Sequence, residues 1–128
     1  MTAPTWMNGV IADFGRAAGV SGLSLNANGA VALTFANGVT LRLEYTGDAL
    51  IVAVTFRIVR NAQSIRRLLS LANPQAVRGG VRLRAGIIAK TGAAVVASIL
   101  PERDVTMPLV SAAFNVLWRA AEETGGAA

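Results

Sequence analysis

Residues 23–45 read LSLNANGAVALTFANGVTLRLEY, and apolar side chains alternate there with small or polar ones in three short runs. A period of two is typical of β-strands that bury one face. Asn28-Gly29 and Asn37-Gly38 separate the runs, and Asn-Gly favours hairpin turns because both turn positions need a positive φ. The stretch therefore predicts a three-stranded antiparallel meander.

The residues that follow extend the sheet and add a helix. Residues 49–56 are apolar at nearly every position, which predicts a fourth strand that needs a cover on both faces. Helical spacing returns in residues 61–72, with Asn61 or Ser64 as the predicted N-cap. About three more strands are predicted in residues 81–100.

Helices are also predicted at both ends of the chain. Apolar residues at helical spacing follow Pro4, and Gly19 is a natural C-terminal stop. Thr106 is the expected N-cap of a last helix, with Pro108 in its first turn. The predicted order is α-β-β-β-β-α-β-β-β-α, an α+β fold with a twisted antiparallel sheet and three helices. We expect one domain over residues 1–124 and a disordered tail at residues 125–128.

The composition excludes most catalytic chemistry. Histidine and cysteine are absent, which removes imidazole catalysis, cysteine nucleophiles, disulfides and the usual zinc sites. The carboxylates nearest in sequence that could act together, Glu102 and Asp104, are better explained as solvated charge in a loop. No phosphate-binding glycine motif, signal peptide or membrane-spanning run is found. We therefore expect a soluble intracellular protein that is not an enzyme and that holds no cofactor and no metal.

The charge is unevenly distributed along the chain. Eleven of the twelve basic residues are arginines, the net charge is +5, and no acidic residue lies between Asp48 and Glu102. A basic surface is predicted from arginines on one strand face and on the polar side of the second helix: Arg66, Arg67, Arg82 and Arg84. An ordinary solvated face and a binding surface for an acidic partner both fit this pattern.

Several segments together resemble a known family. They are FGRAAGV at residues 14–20, the alternating runs of residues 23–45, LLSLAN at residues 68–73, Gly80 before Val81 and Leu83, ILP at residues 99–101, and a final helix with Phe114 and Trp118. Their order and spacing resemble the class I effector chaperones of bacterial type III secretion, the CesT/SycE-like family. The resemblance covers nearly the whole chain.

The resemblance implies a cytoplasmic homodimer without enzymatic activity. It implies that the dimer holds an extended segment near the N-terminus of a secreted effector, so that the effector stays soluble and competent for export. The second helix and a neighbouring strand would form the subunit contact, which makes Ile65, Leu68 and Leu69 the interface candidates. The candidates for effector-binding grooves are Trp6, Val10, Phe14, Leu33, Phe35 and Leu41. The resemblance leaves open a contact with the ATPase of the secretion apparatus.

The basic charge departs from this family, whose members are usually acidic. If residues 57–90 face the partner, the effector segment should be acidic and binding should weaken with salt. The alternative is a small basic nucleic-acid-binding α+β domain. That alternative is disfavoured because Phe56 is the only aromatic residue beside the arginines that could stack on bases.

Overall fold

A computed structural model describes residues 2–58, 61–71, 77–78 and 81–124 of the 128-residue chain. The helices are α1 (Thr5–Ala17), α2 (Ala62–Leu71) and α3 (Met107–Glu123), with a short 3-10 turn at Glu102–Asp104. The strands are β1 (Ala30–Thr34), β2 (Thr40–Tyr45), β3 (Ala49–Phe56), β4 (Val77–Arg78), β5 (Val81–Arg82), β6 (Arg84–Ile87) and β7 (Ala94–Pro101). The predicted α+β class with helices at both ends and one in the middle is confirmed.

Five of these strands form one antiparallel sheet in the order β1-β2-β3-β7-β6, and β4 pairs with β5 in a separate hairpin. The register places Leu41 opposite Val54, and Val54 opposite Val96. Because side chains alternate along each strand, this row defines one face of the sheet, which we call the inner face. The row Arg42, Ala53 and Ala97 lies on the opposite, outer face.

The helices cover the inner face. Helix α3 packs across β3 and β7, α1 packs on α3, and α2 packs against β6 and α3. Inner-face residues Val52, Val54 and Val96 are fully buried beneath them. Full burial of such a side chain contributes about 1.5–3 kcal/mol, so this layer is the main source of stability. Among the described residues, no helix or strand packs on the outer face.

The helix ends follow the predicted signals. Asn61 caps α2, because its side-chain oxygen accepts the N–H of Ser64 at 2.8 Å. Thr106 caps α3 in the same way through the N–H of Leu109 at 3.3 Å. Helix α1 ends at Ala17, and Gly19 follows the C-cap residue Ala18 with a φ of 85°.

The meander is one strand shorter than predicted. The turn glycines Gly29 and Gly38 have φ values of 77° and 84°. No described residue other than glycine has a positive φ, so the expectation of a positive φ at both turn positions is wrong for Asn28 and Asn37. Leu23 and Leu25 are buried, but they belong to no strand, so the prediction of a strand there is wrong. Their segment lies against α1 instead, where the Leu25 N–H donates to the Asn8 side-chain oxygen at 2.9 Å. Alternating apolar residues show only that one side of a segment is buried. A helix can cover that side as well as a sheet can, and here α1 does so.

The second half of the chain has four strands where about three were predicted. The additional pairing is the hairpin of β4 and β5, which has two residues on each side. Strands β6 and β7 form the rest of the predicted region and join the main sheet beside β3. Residues 72 and 73, Gly80 and the predicted tail at residues 125–128 lie outside the described residues.

Candidate functional site

Four aromatic rings meet where α1, α3 and the end of β1 come together. Phe114 lies at the centre, 5.6 Å from Phe14, 6.1 Å from Phe35 and 5.7 Å from Trp118, measured between ring centroids. Phe35 and Trp118 also meet edge to face at 5.2 Å. Such pairs add about 0.5–1.5 kcal/mol each beyond the area that they bury. The aromatic cluster therefore fixes α1, α3 and β1 in one arrangement.

An open groove lies beside the aromatic cluster, between the second half of α1 and the first half of α3. Its volume is about 280 Å³. The residues that line it are Phe14, Ala17, Ala18, Ser111, Phe114 and Asn115. Small residues on α1 leave the space, and two aromatic rings form its apolar wall. A groove of this kind can accept an aliphatic side chain from a partner.

The predicted effector-binding residues are divided between this surface and the core. Trp6 is 48% exposed on α1, and Val10 is half-buried one turn later. Leu33 and Phe35 are half-buried at β1, packed against the core.

Phe14 and Leu41, the other two predicted effector-binding residues, are each only 2% exposed. They lie beneath the surface and can support it, but as placed they offer a partner little contact area. The apolar pattern in the sequence predicted an apolar face but did not indicate which of its residues are exposed and which are in the core.

Strand β1 is an open edge of the main sheet. The Tyr45 N–H donates to the Gly29 carbonyl at 2.7 Å, and the Phe35 N–H donates to the Val39 carbonyl at 2.8 Å. Since hydrogen-bonded pairs alternate along an antiparallel ladder, Ala32 and Thr34 direct their backbone N–H and C=O groups away from β2. In the described part of the chain, no backbone group bonds them on that side.

The predicted dimer contacts lie on α2 at the other end of the sheet. Leu69 is 55% exposed, Ile65 is half-buried, and Leu68 is completely buried within the chain. Two further apolar residues, Ile87 and Ile88, are 40% and 39% exposed. Because α2 packs against β6, Ile87 belongs to the strand that this helix contacts. Sequence reasoning assigned Ile87 only to a strand, although two adjacent isoleucines beside a hairpin turn were a visible signal.

The arginines predicted to form a basic surface, Arg66, Arg67, Arg82 and Arg84, are all exposed. Arg82 and Arg84 alternate with the buried Val81 and Leu83, as the period of two requires. The ion pairs seen among the described residues are Arg16 with Asp13 and Arg42 with Glu44. The four arginines are therefore not neutralised by carboxylates of the described chain.

Tyr45 is the one described group with a clear change in acidity. Burial raises the pKa of its phenol above the ordinary value of 10.0, and the nearby Glu102 carboxylate adds to the effect. The phenol oxygen lies 3.1 Å from Glu102 Oε1 and 2.9 Å from the Gly47 carbonyl, and its one proton can be donated to either acceptor. These contacts hold the end of β2 against the 3-10 turn that precedes α3.

Within the described ranges, no group of three histidine, cysteine, aspartate or glutamate side chains could hold a metal ion. None of the helices in that part of the chain combines the length and the apolar character needed to cross a membrane.

Comparison with known proteins gives one family and several solved structures. The family model described as Type III secretory system chaperone SycN matches residues 6–125. Sequence comparison with curated proteins gives no match.

The similar structures include chains from three complexes. A chain of the ExsC-ExsE complex has a TM-score of 0.74 and 20% identity, over 96% of this chain and 93% of that chain. A chain of the HopA1-SchA chaperone-effector complex has a TM-score of 0.73 and 17% identity, over 91% of this chain and 90% of that chain. The Yersinia pestis chaperone SycH, in complex with a fragment of YscM2, has a TM-score of 0.66 and 18% identity, over 91% of this chain and 98% of that chain. At these identities the likeness shows that the fold is shared.

Proposed function

The chain belongs to the Type III secretory system chaperone SycN family, and we propose that it is a non-enzymatic chaperone of the bacterial cytoplasm. Its cargo is a segment near the N-terminus of a secreted effector, which it holds extended, soluble and competent for export. The observation that carries the proposal is an exposed apolar surface on α1, with Trp6 at one end and the groove beside Phe114 at the other.

The open edge of β1 supports an extended cargo. A peptide strand can pair with the free backbone groups of Ala32 and Thr34 and thereby lengthen the sheet. Alternate side chains of that strand would point toward the half-buried Leu33 and Phe35, above the ring of Phe114. Backbone pairing supplies affinity that is independent of sequence, and the apolar contacts supply selectivity.

A homodimer is the second part of the proposal. The exposed Leu69, the half-buried Ile65 and the exposed Ile87 and Ile88 would be covered by the same residues of a second copy, since two-fold interfaces are self-complementary. Leu68 would support this contact from inside the chain. The secretion-apparatus ATPase is a further candidate partner, and a pull-down with the purified dimer addresses it.

The charge of the cargo follows from the unpaired arginines. A positively charged chaperone attracts an acidic segment from a distance and repels a basic one, and salt screens both effects. The effector's chaperone-binding segment should therefore be acidic, and its affinity should fall as the salt concentration rises.

Co-expression with the N-terminal part of a candidate effector encoded nearby tests the function. We expect light scattering after size exclusion to give a mass near twice 13.2 kDa, increased by one effector chain. Removing the largest exposed apolar contact with Trp6→Ala should weaken capture about tenfold. Thr5→Ala, on the preceding exposed residue of α1, is the matched control and should leave capture unchanged. A stable monomer that captures no effector would contradict the proposal.

A further inference from the structure

The outer face of the main sheet is apolar along its centre and carries arginines at its sides. On the central strands β3 and β7, the outward side chains are mostly aliphatic and include Ile51, Ala53, Val95 and Ala97. Ile99, also on this face, is 43% exposed. The sequence predicted that β3 needs a cover on both faces, and the described part of the chain covers only the inner one.

The ladder places two arginines on opposite sides of the central alanines. Arg84 on β6 lies opposite Ala97, Ala97 lies opposite Ala53, and Ala53 lies opposite Arg42 on β2. Three strand spacings separate Arg84 from Arg42, which is about 14 Å between backbones. Two small side chains between two long ones form a trough, which we call the arginine trough. An α-helix with its side chains is about 10–12 Å in diameter and fits this width.

The charge of the trough is positive. Arg57 follows the buried Phe56 at the end of β3, so the alternation places it with the outer-face side chains. Arg84 has no ion pair within the described ranges. Arg42 lies 3.6 Å from Glu44, which is the single carboxylate among the outward side chains of the sheet's five strands. A partner that buries the aliphatic centre therefore needs carboxylates facing Arg84, and a carboxylate facing Arg42 would compete with Glu44 for that guanidinium.

We infer that the arginine trough binds an acidic amphipathic helix of the effector, outside the segment that is held extended, and this rests on the proposed chaperone function. The occupant has an aliphatic seam at i, i+3, i+4 and i+7 with aspartate or glutamate on both sides of it. The trough is about 20 Å long from Ile51 to Arg57, which corresponds to a helix of about 13 residues. Its carboxylates pair with Arg84 and Arg42, while its aliphatic side chains cover Ala53 and Ala97.

Other occupants fit the trough less well. Nucleic acid would need stacking surfaces, but no aromatic side chain lies among the outward residues of the sheet's five strands. A second copy of the chain would bring the same arginines and so place like charges together. A bilayer surface is flat and cannot reach the alanine floor between the arginines.

Synthetic peptides test the inference on the full-length protein. The probe is a 14-residue helix-forming peptide with a leucine seam and glutamates beside it, and its control carries lysine in place of every glutamate. We expect the acidic peptide to shift the amide resonances of Ala53, Val95 and Ala97 in a ¹⁵N-correlation spectrum. Arg84→Glu should weaken its binding about tenfold at low salt. Arg119→Glu, a matched exposed change on α3, should have no effect.

Several results would overturn the inference. They are equal binding of the acidic and basic peptides, shifts confined to α1 and α3, binding of anionic vesicles or single-stranded RNA in place of the peptide, and a dimer that dissociates on Arg84→Glu. Since Arg84 is exposed, unchanged thermal unfolding confirms that the variant is folded.

Effector capture separates this inference from the proposed function. If the effector is captured but Arg84→Glu changes neither its affinity nor its salt dependence, only the trough assignment fails. If the acidic peptide binds as expected but no effector is captured, the trough is retained as an acidic-helix site and the chaperone function fails.

Discussion

Replacing Leu69 and Leu68 separately by alanine should affect two different equilibria. Leu69 is 55% exposed in the single chain, whereas its neighbour Leu68 is fully buried. Burying a whole leucine is worth about 2 kcal/mol, so covering the exposed half of Leu69 in a dimer is worth about 1 kcal/mol. A two-fold dimer contains two such contacts, which amount to about 2 kcal/mol, or a factor of about 30 in the dimer dissociation constant.

Leu69→Ala should therefore weaken the dimer about 30-fold and change the unfolding free energy of the single chain by less than about 0.5 kcal/mol. Leu68→Ala should instead lower the unfolding free energy by about 2–5 kcal/mol, because it leaves a cavity in the core. Sedimentation equilibrium over a range of concentrations measures the first effect, and denaturant unfolding at a fixed concentration measures the second. A wild-type dimer constant for Leu69→Ala would refute the assignment of α2 to the interface.

Two further predictions concern the single chain. Gly9→Ala should raise the unfolding free energy by about 1 kcal/mol, since an added Cβ meets nothing within 4 Å in mid-helix. Gly15→Ala should lower the unfolding free energy by about 1–2 kcal/mol, because the added Cβ would lie 2.8 Å from the Leu23 Cβ. Thermal unfolding measures both variants, and melting temperatures that change in the same direction would contradict these two predictions. Tyr45 is the only tyrosine, so its absorbance titration should have a midpoint above pH 10, and Glu102→Gln should lower that midpoint. The folded state holds the Tyr45 proton more tightly than the unfolded state does. The protonated phenol therefore contributes to the unfolding free energy below pH 10, and this contribution is lost as the pH rises through the raised pKa. A titration midpoint at or below pH 10 would contradict the raised pKa of Tyr45.

Local signals in the sequence predicted most of the fold. Asn28-Gly29 and Asn37-Gly38 locate their turns because few residues other than glycine adopt a positive φ at low cost. Thr106 and Asn61 locate helix starts because a cap satisfies backbone groups within one turn of chain. Such signals act over a few residues and need no knowledge of the tertiary structure.

The signals that failed depend on distant parts of the chain. Leu23 and Leu25 alternate like a strand, but a helix covers them, so only the tertiary contact distinguishes the two structures. In the same way, Phe14 and Trp6 belong to one helical stripe, yet the first is in the core and the second is at the surface. The pairing register between neighbouring strands likewise cannot be predicted from the spacing of residues in the sequence. This register places Arg84 and Arg42 on the two sides of Ala53 and Ala97.

The open edge of β1 has a consequence for the protein without its cargo. Edge strands in stable monomers are commonly protected by proline, by charged residues or by a bulge, because free backbone groups recruit other chains. The sequence of β1 is AVALT, which contains neither proline nor charge. Empty copies can thus pair with one another through the surface that cargo would occupy. A cargo strand paired with this edge would block that self-association, so an excess of chaperone over cargo should favour aggregation of the chaperone.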